Sequence, residues 1–375
     1  MYDAIIIGGG AGGIVCALQC ALGGKKTLLI EAGERIGRKI LVSGNGRCNL
    51  SNTAVGADKY NAPKFVAPVL ESWGCNKVLD YFATLGLLCR TDGEGRVYPH
   101  SMSAGSVLNV LSDSLNNSGC NVLLNVKATD IVFSGGAYRV ITDKGEFTAR
   151  SLVLACGGIA GGGINSYGIV DKLGIPITPF TPALTYIKTP IFKGLKGVKA
   201  KIKARIKCGD TLKCCDGEIL FRDDGISGIA SFWMSTFIAR YGSGEIELDF
   251  APEYSLDKLL SVYGGKRADS LRGLLHKALS DRLIAICRSD KADDVIPMIK
   301  SFKFSPIGLG GMRDAQVTCG GLDLKRWDNK SLQSIDYPRL YCIGEMLDVD
   351  GECGGYNLHW AWASALAVSR EITDD

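Results

Sequence analysis

Three glycines spaced Gly8-x-Gly10-x-x-Gly13 constrain this chain more than any other feature, because of what flanks them. Tyr2-Asp3-Ala4-Ile5-Ile6-Ile7 is a short apolar, β-branched run, the pattern of a buried parallel strand, and Ile14 to Leu22 is apolar and small enough for a close-packed helix. Lys26 to Glu31 reads as a second strand. In such a β-α-β unit the first glycine permits the tight turn, the second lets a pyrophosphate approach the backbone, and the third brings helix close to sheet. The phosphates belong on the helix N-terminus, where N–H groups and the dipole favour an anion. Glu31, eighteen residues after Gly13, is placed to accept hydrogen bonds from a ribose 2′- and 3′-hydroxyl pair. Gly8, Gly10, Ala11, Gly12, Gly13, Glu31 and Ala32 are therefore the first candidate cofactor contacts, and the fold class is α/β of the Rossmann type.

The fingerprint alone does not choose between NAD and FAD. The chain carries it once, and near its end Pro338 to Glu345 reads as a strand delivering Gly344 and Glu345, followed by Gly354-Gly355-Tyr356-Asn357 opening an apolar helix to Val368. A second helix N-terminus suits the pyrimidine side of a flavin, where negative charge develops on reduction, and NAD needs no such element. FAD is the expected cofactor.

With 375 residues and 46% hydrophobic content the chain can bury more than one core. No basic leader precedes the first strand and no stretch approaches eighteen uninterrupted apolar residues, so neither export nor a membrane span is expected. Fourteen cysteines lie scattered through apolar segments without a Cys-x-x-Cys pair, which fits a reducing cytoplasm and argues against a dithiol redox centre. With three histidines, no metal site is expected.

Residues 33–53, rich in Gly, Arg, Asn and Ser, read as an ordered, ligand-contacting loop. Helical patterns follow at Ala67 to Leu85 and Ala104 to Ser118, then a β-meander from Val122 to Leu154 with turns at Ser134-Gly135-Gly136 and Asp143-Lys144-Gly145. The cofactor half breaks near Pro182. Residues 184–250 look β-rich, 255–300 carry helical spacing, and the glycine-rich style returns after Pro306.

The run Gly37 to Asn52, with Gly344-Glu345-Met346-Leu347-Asp348-Val349-Asp350-Gly351 and Gly354 to Leu358, resembles the YhiN/BaiN-type family of bacterial flavoproteins, as do Arg96 to Ser101 and Ala315 to Gly321. The resemblance implies a glutathione-reductase-like FAD domain (1–183 and 306–375) split by an insert with a β-barrel (184–250) and a small helical domain (251–305). Arg38 and Lys39 join the candidate cofactor contacts, and the resemblance places Ser43, Gly44, Gly46, Arg47, Cys48 and Asn49 along the flavin and pyrophosphate, Val126 at the adenine through its backbone, and Ala155 and Gly157 in the family's Ala-Thr-Gly turn, with Cys156 in the threonine's place. Gly344, Glu345, Gly354, Gly355, Tyr356 and Asn357 complete the candidate set. Cys353 and His359 depart from the family's usual residues.

Within the insert, Val198, Ala200, Ile202, Ala204, Ile206 and Cys208 alternate with Lys199, Lys201, Lys203, Arg205 and Lys207, and residues 188–213 hold nine basic residues against Asp210 alone, although the whole chain is only +4. On a strand the five cations share one face at roughly 7 Å spacing and repel one another, which an anionic partner would relieve. A phosphate track is one reading and a solvated strand face the other. Family members have been linked to dihydrouridine formation in ribosomal RNA. The resemblance thus implies hydride transfer from flavin N5 to a uridine, with NAD(P)H as electron donor and ribosomal RNA as partner on the basic strand. Cys353 and Cys48, in the two segments expected to meet at the flavin, are the candidate proton donors. The alternatives are a reductase or dehydrogenase of a small apolar enone or steroid-like acid, and a non-catalytic flavin redox sensor. The sequence assigns no oligomeric state.

Overall fold

A computed structural model describes residues 1–242 and 244–374. The chain divides into two units, Met1–Phe180 with Val317–Asp375, and Thr181–Gln316. The expected boundaries at 183/184 and 305/306 therefore move to 180/181 and 316/317, because the strand Gly308–Leu309 pairs with Ile187–Lys188 inside the second unit.

Among the described residues the main sheet of the first unit has seven strands. Asn121–Leu123, Thr27–Ile30, Tyr2–Ile7 and Gly145–Leu154 lie side by side in parallel. Tyr2–Ile7 and Thr27–Ile30 are near-continuous apolar runs because both sheet faces are covered there: Ala4, Ile5, Ile6, Leu28 and Leu29 have no exposed surface. Two strands share the far edge of Gly145–Leu154. Ala137–Thr142 pairs antiparallel with its first half, and Leu340–Cys342 pairs parallel with its last three residues. Ala128–Ser134 completes the hairpin on the outside.

The expected meander is thus shorter than 122–154, since Asn121–Leu123 crosses to the opposite edge of the sheet. The expected helix across Ala67–Leu85 is two, Pro63–Ser72 and Cys75–Thr84. They part at Gly74, where backbone freedom makes a helical conformation costly. The helices Ala11–Leu22 and Tyr356–Asp374 pack closely: a Cβ on Gly12 would stand 3.0 Å from the Ala361 carbonyl oxygen.

The second unit is built on an antiparallel sheet whose strands run in the order Phe302–Phe304, Glu245–Asp249, Lys199–Cys208, Thr211–Phe221, Gly225–Ser227, Ile187–Lys188 and Gly308–Leu309. Among the described residues no ladder joins the outermost strands, so the expected barrel is an open sheet. The expected separate helical domain is also absorbed. Leu259, Leu271, Leu279, Leu283 and Ile296 belong to the same core as Ile202, Ile206 and Ile219, and Phe192 sits 4.9 Å from Phe221 and 5.3 Å from Phe302, ring to ring.

Lys199–Cys208 keeps its period: Ile202, Ala204, Ile206 and Cys208 are buried and the five cations exposed. The repulsion expected among them is relieved within the sheet. Lys201 lies opposite Glu218, Lys203 opposite Asp216 on one side and Asp249 on the other, Arg205 opposite Glu247 and Lys207 opposite Glu245. Lys199 reaches Glu218 at 2.9 Å. Every cation of the row has a carboxylate on a neighbouring strand. Lys203→Glu would set three carboxylates side by side and is expected to cost about 1–2 kcal/mol in urea unfolding, while Lys203→Gln stays within about 0.5 kcal/mol of wild type. Equal midpoints for the two variants would refute this account of the row.

Candidate flavin site

The carboxyl ends of the parallel strands converge on a backbone crossing that admits no side chain. A Cβ on Gly13 would stand 1.8 Å from the Gly8 carbonyl oxygen, and one on Gly8, at φ +110°, 2.4 Å from that of Ala155. Gly10 is the opposite case, since among the described residues nothing lies within 4 Å of its Cβ position. The helix Ala11–Leu22 begins there without a side-chain cap or an acid in its first turn, which leaves its first N–H groups to a ligand.

Glu31 points back into this turn. Its two carboxylate oxygens accept from Gly9 N–H at 2.7 Å and Gly33 N–H at 2.6 Å, which fixes their direction around Ala32 and leaves each a further lone pair. Val126 donates its N–H to the Glu31 carbonyl oxygen at 3.0 Å, which directs any adenine contact to the Val126 carbonyl.

Residues 33–53 are ordered as expected but not structureless: Arg38–Val42 is a short helix, capped at its end by Ser43 Oγ donating to the Ile40 carbonyl at 2.7 Å. Beyond it Gly44, Asn45, Gly46 and Cys48 all take positive φ (57°, 56°, 79° and 57°), a tight left-handed hairpin closed by Cys48 N–H to the Ser43 carbonyl oxygen. Two non-glycine residues held in this conformation mark a segment whose shape is fixed by its surroundings. The Arg47 guanidinium lies 5.2 Å from the Tyr98 ring centre.

Several polar side chains that the sequence offers as cofactor contacts hold the protein to itself. Arg38 donates to the Gly162 carbonyl at 2.7 Å, and Lys39 donates to that of Gly158 at 2.9 Å while pairing with Glu345 at 3.3 Å. Glu345 also accepts from the N–H groups of Thr318 (2.8 Å) and Gly158 (3.2 Å), fixing the turn after Ala155, where Gly157 has φ +69° and Cys156 Sγ meets the Ile7 carbonyl. Asn357 exchanges two hydrogen bonds with Gly351, and the Asn49 amide, in the orientation that satisfies both its ends, accepts from Gly355 N–H at 3.2 Å. A Cβ on Gly355 would meet the Ser51 carbonyl oxygen at 2.4 Å.

Sequence reasoning missed the residues that lock the 348–355 loop and the last helix in place. Asn61 bonds Asp348 and Asp350, Asn52 donates to the Gly354 carbonyl at 3.0 Å, and Tyr60 donates to that of Tyr356. The Trp360 indole N–H donates to the Gly344 carbonyl oxygen and that of Trp362 to Leu50, both at 3.1 Å. The signal was present, because two tryptophans in an apolar helix need buried acceptors.

Every candidate cofactor residue therefore lies in this first unit. The chain matches the family model described as HI0933-like protein Rossmann domain over residues 2–371. It belongs to this family. It is 33% identical to a 3-dehydro-bile acid delta(4,6)-reductase of Clostridium scindens, with 98% of each chain covered, and 28% identical to a ribosomal RNA dihydrouridine synthase of Haemophilus influenzae, again with 98% of each covered. Among solved structures it is similar to a 3-ketosteroid delta1-dehydrogenase of Sterolibacterium denitrificans, with a TM-score of 0.52, 14% identity, and 100% and 99% of the two chains covered. That likeness shows the fold, a Rossmann-type FAD-binding α/β architecture.

In this HI0933-like chain the residues present fit FAD. Gly10 leaves the space a phosphate needs, the uncapped helix supplies donors, and Glu31 presents oriented lone pairs to a ribose. No helix among the described residues is long and apolar enough to cross a membrane.

The two candidate proton donors separate. Cys48 has no exposed surface, and burial pushes its thiol up to about 12. Cys353 is partly exposed; burial pushes it up to about 11, opposed by the charge of Arg96. Both are thiols at neutral pH, and of the two Cys353 has surface to meet a substrate. His359 is buried between Ser51 Oγ (2.9 Å from Nδ1) and the Trp73 carbonyl (3.0 Å from Nε2). Because that carbonyl only accepts, Nε2 carries the proton and Nδ1 accepts from the serine. Burial lowers His359 to about 4, so it is neutral and structural.

Two predictions follow from this geometry. Gly10→Ala fills the open position and is expected to lower FAD occupancy, read by flavin absorbance of the purified protein, while the stability of the FAD-stripped protein stays near wild type; Gly13→Ala destabilises both forms. Retained flavin in Gly10→Ala would contradict the placement. His359 is depressed in the folded state, so its contribution is complete above about pH 6.5 and lost as pH falls towards 4, a loss of about 3 kcal/mol. His359→Gln should therefore show a shallower decline of unfolding free energy than wild type between pH 6.5 and 4.

Proposed function

We propose that this protein is an FAD-dependent reductase of a carbon–carbon double bond conjugated to a carbonyl, with a uridine of ribosomal RNA as its substrate and NAD(P)H as electron donor. The observation that carries the reading is the agreement between the glycine cradle for a flavin and the names of relatives matched along nearly the whole chain. A delta(4,6)-reductase and a dihydrouridine synthase face one electron demand. In uracil the C5=C6 bond is conjugated to the C4 carbonyl, as a Δ4 bond is to a 3-oxo group.

Gly8 to Gly13, Glu31, the 43–49 hairpin, Gly344 and the turn at 354–357 would hold FAD, and bound FAD supplies the hydride chemistry. The other half of the reduction is a proton, which we assign to Cys353. The N-terminus of the helix Tyr356–Asp374 favours negative charge at its end of the site. Asn52, Asn61 and Asn357 fix the loop that carries Cys353, so the donor is held in one place before substrate arrives. For RNA, Lys199, Lys201, Lys203, Arg205 and Lys207 remain exposed, and surface ion pairs of about 0–1 kcal/mol are readily exchanged for phosphate contacts.

The carboxylate on a neighbouring strand near each of these cations favours a second reading, reduction of a small apolar enone, in keeping with the 33% relative. Mapping dihydrouridine in ribosomal RNA from cells with and without the gene separates the two. The RNA reading expects one position to lose the modification and to regain it with wild type but not with Cys353→Ser. RNA identical in the two strains would refute it and direct assays to 3-oxo Δ4 substrates.

A further inference from the structure

The loop that carries Cys353 is docked on a two-stranded ribbon, and the register of that ribbon places one charged residue at the docking point. Ser51–Asn52 pairs antiparallel with Arg96–Pro99, with Asn52 directly opposite Arg96. Residues directly opposite in such a pair project to the same face. Asn52 spends its amide on the carbonyl of Gly354, the residue after Cys353, so Arg96 leaves the ribbon beside that loop. Its guanidinium is held by two carboxylates: Nε meets Asp92 Oδ2 at 2.8 Å and a terminal nitrogen meets Glu94 at 3.0 Å, both from the turn that precedes it. Asp92 also accepts from the N–H groups of Glu94 and Arg96 at 3.0 Å, which ties the turn itself.

We propose that Arg96 is the positioning residue of the proton donor, a fixed cation that supports the Cys353 thiol as its proton leaves. This inference rests on the reductase reading. Among the described residues, the charged and titratable groups whose electrostatics bear on Cys353 are Arg96 and Glu94 from the ribbon and its turn, Glu352 on its own loop, itself 3.8 Å from Lys59, and Tyr356 at the start of the last helix. Arg96 is the one that favours the thiolate, against burial and the two carboxylates. In the reaction, hydride brings two electrons and one hydrogen to the carbon β to the carbonyl. The α-carbon of the resulting enolate then takes a proton from Cys353 Sγ–H, the S–H bond breaking as C–H forms. The thiolate, beside Arg96, regains a proton from water. Without Arg96 the same thiolate still meets the charges of Glu94 and Glu352.

The test is alkylation of Cys353 by iodoacetamide in the FAD-loaded full-length protein, followed against pH by peptide-resolved mass spectrometry, which separates it from exposed Cys214. Arg96→Met is expected to slow labelling of Cys353 at pH 8.5 by about five-fold, and Arg96→Lys to restore most of the rate. Glu94→Gln shifts labelling the other way and guards against a general loss of structure, as does an unchanged flavin spectrum. Reduction of a conjugated substrate should slow in Arg96→Met through kcat with KM little altered, and its alkaline limb should move. Equal labelling in wild type and Arg96→Met overturns the proposal, and so does slowed labelling with wild-type turnover. If wild type reduces no conjugated substrate, the reductase reading fails and the donor role with it, an outcome visible separately because labelling needs no substrate.

Discussion

Everything in the first unit depends on one backbone crossing. Gly13 and Gly8 approach so closely that a single methyl group would stand 1.8 Å from a carbonyl oxygen, and Ala155 closes the third side. Three chain segments meet there because the strands that end at the crossing, Tyr2–Ile7 and Gly145–Leu154, run parallel and reach it from the same direction. Their parallel neighbours then arrive at the same end of the sheet: Thr27–Ile30 delivers Glu31, and Leu340–Cys342 delivers Gly344 and Glu345. The site is the place where carboxyl ends of strands and a helix N-terminus coincide, as open α/β sheets require.

A crossing made of glycine has a cost that the rest of the site offsets. Glycine-rich segments lose the most conformational freedom on folding, and their backbone groups still need partners. Here charged and amide side chains supply them. Glu345 gathers Lys39, Gly158 and Thr318, while Asn357, Asn52 and Asn61 hold the 348–355 loop. Of these, Lys39, Glu345 and Asn357 were expected to face the cofactor. Their more direct service is to make the cofactor-facing backbone rigid, which is the form of preorganisation that catalysis rewards.

The fingerprint strand, helix and acid were legible from the sequence because each is local and each has one physical explanation. Most of what was missed is non-local. The row Lys199 to Lys207 was read correctly as one face of a strand, yet Asp216 and Glu218, and Glu245, Glu247 and Asp249, alternate with the same period two and form the neighbouring rows. Judged alone, the basic strand left an anionic partner and a solvated face both open; judged with its partners, it is nearly neutral. His359 shows the same limit. Nothing around it in the chain announces Ser51 and Trp73, more than 280 residues away, whose oxygens fill both ring nitrogens. Gly74 was a local signal passed over within an otherwise helical pattern.

The division of the chain keeps the candidate cofactor residues and the basic strand in separate units. Hydride delivery and proton return need only a flavin face and a donor, and both candidates for these roles lie in the unit built on the crossing. The other unit has its own core, centred on Phe192, Phe221 and Phe302, so its surface can change without disturbing the glycines. Two relatives matched along 98% of the chain are named for a bile acid and for ribosomal RNA, substrates that differ in size and charge by far more than the bond to be reduced. The shared element is the electron demand of a conjugated double bond. Substrate choice is then left to the surface, which the fold does not assign.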